Sequence, residues 1–112
     1  MKIYHNPRCR KSRETLSIIE AAGKQPEIIE YLKEPPSTEE LRQIIEMPNI
    51  SPEDLVRKGE SIFKEKYKNK SLSESEWIEA LVEHPKLIER PIVVKGEKAI
   101  IGRPPENVKS LL

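Results

Sequence analysis

The sequence predicts an α/β fold: a mixed sheet with helices on its faces, in the order β-α-β, a run of helices, then β-β-α. Three observations predict it. The chain opens on a short apolar run, passes into helical spacing and returns to a β-rich run. Such a strand–helix–strand start favours parallel pairing through a right-handed crossover. The middle carries repeated helix-start signals. Near the end, two apolar runs flank Gly96-Glu97, a hairpin signature with Gly at the first turn position. At 112 residues the chain is expected to form one domain, residues 1–112, with a core that needs no covalent staples.

Each element has a local cause. Lys2-Ile3-Tyr4 reads as the first strand. Ser12 through Ala22 places Leu16, Ile18, Ile19 and Ala22 at helical spacing, and Gly23 supplies the stop. Glu27 through Leu32 is β-rich and bounded by Pro26 and Pro35-Pro36, which predicts a second strand. Ser37 and Glu40 form a capping box ahead of Leu41, Ile44 and Ile45, and Pro48 and Asn49 break that helix. Ser51-Pro52-Glu53-Asp54 starts another helix, with Pro at its first position and acids in its first turn, which Gly59 ends or bends. Glu60 through Lys70 is a weaker helix with Ile62, Phe63 and Tyr67 as its stripe and its lysines in solvent. Ser73 through Glu76 caps a helix whose inner face is Trp77, Ile78, Leu81 and Val82, with Pro85 beyond its end. Pro91–Lys95 and Lys98–Ile101 make the hairpin, and Pro104-Pro105-Glu106 opens a last helix that packs Val108, Leu111 and Leu112.

Composition narrows the function. Charged residues make up 35% of the chain, yet the net charge is +1, so there is no global attraction to nucleic acid or to a membrane surface. Electrostatic work must be local. Aromatics, at 4%, form no basic-aromatic stripe for stacking bases. No apolar run approaches the length of a membrane span. The start runs straight into a strand pattern, and a single cysteine excludes an internal disulfide, so the reducing cytoplasm is the expected compartment. Two histidines and one cysteine give no metal-ligand spacing, and no bound metal or cofactor is expected.

The chemistry concentrates in His5-Asn6-Pro7-Arg8-Cys9-Arg10-Lys11-Ser12-Arg13. A thiol at a helix N-terminus faces unpaired backbone N–H groups and the positive end of the dipole, and nearby cations add to both. The same features bind an oxyanion beside the sulfur. A lone cysteine can equally be an inert packing residue; the cations and the turn-forming Asn6-Pro7 pair favour the reactive reading. Three further arginines stand at element ends: Arg57 after Leu55-Val56, Arg90 before Pro91 and Arg103 before Pro104. Ligands of open α/β sheets gather at strand ends, and the guanidinium fork suits oxyanions. Three solvated cations would look the same by spacing alone. Pro91, at the start of a strand, is a candidate cis-proline.

With these residues in view, the chain resembles the arsenate reductase family of the glutaredoxin-dependent type. The resemblance is carried by Ile3-Tyr4-His5-Asn6-Pro7, Cys9, Ser12-Arg13 and Thr15-Leu16, then by Glu30 through Pro36. It continues through Leu55-Val56-Arg57-Lys58, His84-Pro85, Arg90 through Val94, and Gly102-Arg103-Pro104. It implies a thioredoxin-like fold with a helical insertion at residues 37–88, Cys9 as nucleophile, and Arg57, Arg90 and Arg103 as the oxyanion clamp. It also implies that His5, Asn6, Ser12 and Arg13 support the loop and the thiolate, with Ser12 expected to cap the helix or hydrogen-bond the sulfur. Where well-studied members carry small residues, this chain has Arg10-Lys11, with Arg8 adding charge before Cys9.

The expected reaction is attack of the Cys9 thiolate on arsenate or a similar oxyanion. Having no second cysteine, the chain needs an external thiol to finish the reduction, so glutathione and glutaredoxin are the implied partners. Two alternatives remain: a monothiol glutaredoxin-like thiol–disulfide oxidoreductase using the same Cys9, and a polymerase-binding regulator of the same superfamily.

Overall fold

The computed structural model describes residues 1–47 and 50–112. The break expected at Pro48 and Asn49 lies outside the described residues. Four strands, β1 (Lys2–His5), β2 (Glu27–Glu30), β3 (Ile92–Lys95) and β4 (Lys98–Ile101), form one sheet in the order β2-β1-β3-β4. β1 and β2 are parallel, whereas β3 runs antiparallel to both β1 and β4. The mixed sheet is the thioredoxin-like arrangement. Helix α1 (Arg10–Ala21) makes the first crossover, and α2 (Thr38–Ile45), α3 (Ser61–Lys66) and α4 (Glu74–Glu83) lie between β2 and β3.

Both faces of the sheet are covered, and strand alternation divides the core in two. Ile3 and Val93 pack with Ile19 of α1 and with Val108 and Leu111 near the C-terminus. Tyr4, Ile92 and Ala99 face the other way, onto Leu41, Ile44, Phe63, Trp77 and Leu81. Phe63 and Trp77 stack with ring centroids 6.4 Å apart. The capping boxes expected at Ser37/Glu40 and Ser73/Glu76 are both formed. No helix among the described residues is long and apolar enough to cross a membrane.

Several elements differ from expectation. β2 ends at Glu30, because the amides of Lys33 and Glu34 both turn back to the Glu30 carbonyl. That turn buries Tyr31 and leaves Leu32 exposed. The helix at Pro52 is one 3₁₀ turn, Pro52–Leu55, since Val56 leaves it to form an antiparallel bridge with Ile88. Gly59 plays no part in ending it. Val82 is exposed, and Ala80 takes its place on the inner face of α4. The last helix is a 3₁₀ segment, Pro105–Leu111, that buries Val108 and Leu111 but not Leu112.

Candidate active site

The topology gathers the chemistry at one end of the sheet. β1 runs toward that end and leads into Cys9, while the antiparallel β3 starts there, just after Arg90. β4 returns to the same end and delivers Arg103. β2, parallel to β1, finishes there with Tyr31. The Val56–Ile88 bridge brings in Arg57: its amide donates to the Leu87 carbonyl at 2.7 Å, and the Glu89 amide donates to the Leu55 carbonyl at 2.7 Å. Ligand sites of open α/β sheets form at such strand ends.

Cys9 is the N-cap residue of α1, with extended backbone dihedrals and partial burial. That burial is the largest influence on the thiol and opposes ionisation. The backbone N–H groups of Ser12 and Lys11 and the Arg90 guanidinium together outweigh it, so the Cys9 pKa lies below that of an ordinary thiol. Arg103 Nη1 stands 4.0 Å from Cys9 Sγ and donates to the Arg90 carbonyl at 3.3 Å. The structure therefore brings Cys9, Arg90 and Arg103 together. Arg57 has its own counter-ion: its Nη1 pairs with Glu60 Oε1 at 2.6 Å.

A hydrogen-bond network with a buried His5–Ser12 pair holds the loop. His5 Nδ1 and Ser12 Oγ are 2.6 Å apart, and the Asn6 amide donates to the same hydroxyl at 3.0 Å. Asn6 also accepts from the Cys9 amide through its carbonyl and from the Arg8 amide through Oδ1, both at 3.0 Å. Arg13 Nη1 donates to the Pro7 carbonyl at 2.9 Å. Burial, aided by Arg13, lowers the His5 pKa against the pull of Glu30 and Glu20. The Ser12 hydroxyl neither caps α1 nor reaches the sulfur. The helix begins two residues earlier than the periodicity suggested, which places Ser12 inside its first turn.

The Arg90–Pro91 and Arg103–Pro104 peptide bonds are both cis. Arg8, Arg10 and Lys11 lie in solvent, with Arg10 paired to Glu14 at 2.8 Å. His84 occupies the C-cap position of α4, its ring edge-on to Tyr67.

Sequence reasoning missed three residues. Glu89 Oε1 lies 3.6 Å from Arg90 Nη1 and 3.8 Å from Arg103 Nε. Tyr31 is buried, and burial raises the pKa of its phenol against the opposing influence of Arg90, Arg57 and Asn6. Gly102 packs so closely on Thr15 and Pro91 that a Cβ there would sit 2.8 Å from Pro91 Cγ. Glu89 adjoins Arg90 in sequence, which was a usable signal; the other two had none beyond their place in the quoted motifs.

Residues 4–111 match the ArsC family. This chain belongs to the ArsC family. A protein of Haemophilus influenzae named arsenate reductase is 46% identical to this ArsC chain over 112 residues, covering 98% of it and 97% of the relative. The uncharacterized Escherichia coli protein YfgD is also 46% identical, covering 100% and 96%. The solved arsenate reductase from Vibrio cholerae superposes on this ArsC chain with a TM-score of 0.93 at 45% identity, covering 99% and 96%.

Proposed function

We propose that the chain is a cytoplasmic arsenate reductase that draws its reducing thiols from outside, with Cys9 as nucleophile. One observation carries the reading: the helix-capping thiol with a lowered pKa has the Arg103 guanidinium 4.0 Å from its sulfur and Arg90 beside it. Family membership supports it, as do the relatives named arsenate reductase.

The Cys9 thiolate attacks arsenic, a sulfur–arsenic bond forms, and one arsenate oxygen leaves as water after taking up protons. Arg90 and Arg103 hold the remaining oxygens, and preorganised donors of this kind matter most where charge grows in the transition state. Arg57 joins the clamp by releasing Glu60. His5, Asn6, Ser12 and Arg13 keep the loop in shape. Reduction of As(V) to As(III) takes two electrons. Glutathione thiolate attacks the Cys9 sulfur, the sulfur–arsenic bond breaks with its electron pair going to arsenic, and arsenite leaves while Cys9 and glutathione stay joined as a mixed disulfide. A glutaredoxin thiol then removes the glutathione and frees Cys9. Ser12 cannot play the resolving part, because a hydroxyl is a poor nucleophile toward disulfides at neutral pH.

The test is arsenate-dependent NADPH consumption with glutathione, glutathione reductase and glutaredoxin supplied; NADPH feeds only the coupling enzymes. Wild type is expected to turn over and Cys9→Ser to be inactive. Turnover retained in Cys9→Ser would sink the assignment.

A further inference from the structure

We infer that Glu89 is a positioning residue: a built-in counter-anion that holds the Arg90 and Arg103 guanidiniums beside Cys9 while leaving their N–H donors for an incoming oxyanion. The inference deepens the proposed function and rests on it for the identity of the oxyanion.

The geometry of one oxygen makes the case. Glu89 Oε1 is 3.6 Å from Arg90 Nη1, 3.8 Å from Arg103 Nε and 3.2 Å from the Arg90 amide nitrogen. Only the amide is within hydrogen-bonding distance. Both guanidiniums are held by charge at separations too long to consume their donors. Arg90 Nε is buried and has no hydrogen-bond partner among the described residues. A donor left unmatched in that way costs free energy unless something binds there.

Glu89 itself is anchored through its backbone. Its amide donates to the Leu55 carbonyl at 2.7 Å, next to the Val56–Ile88 bridge. Its side chain is about one-fifth exposed and, with Arg103, lines an open cavity of about 740 Å³. The carboxylate thus has room to withdraw as an oxyanion takes over the two cations. Without it the two guanidiniums stay beside Cys9, Arg103 through its bond to the Arg90 carbonyl, but lose the anion that fixes their orientation.

Glu89→Gln tests this, since it removes the charge and keeps the shape. Two measurements need no turnover: the pH midpoint of Cys9 alkylation by iodoacetamide, and protection of Cys9 by inorganic phosphate. Removing an anion next to the arginines is expected to lower the midpoint by about half a pH unit and to tighten phosphate protection about threefold. In the coupled arsenate assay kcat is expected to fall about tenfold, because the guanidiniums lose their anchor, while KM does not rise. A folded Glu89→Gln chain with midpoint and phosphate protection unchanged would overturn the inference. Glu89→Asp keeps the charge on a shorter arm; it is expected to restore the midpoint but not kcat, and full wild-type turnover in it would also overturn the positioning role. A wild-type chain that does not reduce arsenate would end the functional reading and leave the two alkylation measurements to decide Glu89.

Discussion

His5 Nδ1 and Ser12 Oγ lie 2.6 Å apart in the protein interior and tie the end of β1 to the first turn of α1. With its proton on Nε2, the neutral imidazole accepts from Ser12 while the hydroxyl accepts from the Asn6 amide. The Cys9 loop is held between these two groups.

Ser12→Ala would leave the imidazole and the Asn6 amide without their partner. Unmatched buried groups cost about 1–3 kcal/mol, so urea unfolding is expected to show a loss of that size. The His5 pKa is lowered in the fold, chiefly by burial. The unfolded state therefore binds the extra proton first, and stability is lost as pH falls from the ordinary histidine range through the lowered value. A ¹H NMR titration placing His5 at or above about 6.5 would contradict this.

Cys9 has the same sign. Its folded pKa is below the unfolded one, so between the two the unfolded chain carries the extra proton. Stability rises with pH across that window and is lost as pH falls through the folded value. Wild type minus Cys9→Ser stability, measured by urea at several pH values, is expected to grow as pH rises toward the ordinary thiol value of about 8.5. Alkylation of Cys9 at pH 6 is expected to be much faster than that of a free cysteine. A curve with an ordinary midpoint of about 8.5 would remove the activated thiolate.

Arg103 separates the arsenate reading from a glutaredoxin-like one. Its guanidinium is placed for an oxyanion beside Cys9, whereas disulfide exchange needs no such clamp. Arg103→Ala is expected to lower arsenate kcat/KM by about 10²-fold, the scale of losing one preorganised transition-state donor. Exchange with a glutathione mixed disulfide is expected to change far less. Equal losses in both assays would favour the glutaredoxin-like alternative.

Gly102 packs against Thr15 and Pro91, and the Thr15 hydroxyl meets the Gly102 carbonyl at 3.5 Å. Gly102→Ala forces a methyl group into that contact and is expected to cost about 1–3 kcal/mol. Thr15→Ala in the same chain frees part of the space. The double-mutant cycle is expected to show positive coupling, measured by thermal or urea unfolding. Strict additivity would show that the contact is not the cause.

The amino-acid sequence alone determined the elements whose causes are local. The capping boxes at Ser37 and Ser73, the helix stop at Gly23 and the turn at Gly96 each depend on a few neighbouring residues. Tertiary contacts decided the rest. Val56 leaves its helix for a partner 32 positions away, and Tyr31 turns inward where continued β-structure was expected. The same divide runs through the site. The chain order puts Cys9 at a helix start, but Arg103 is 94 residues distant, and only antiparallel pairing of β3 with β1 and β4 returns it to the sulfur. Periodicity reports which side of an element is apolar; it does not report which ends meet. The Glu89 carboxylate between two arginines belongs to that second kind of information, because it exists only once both strand ends are in place.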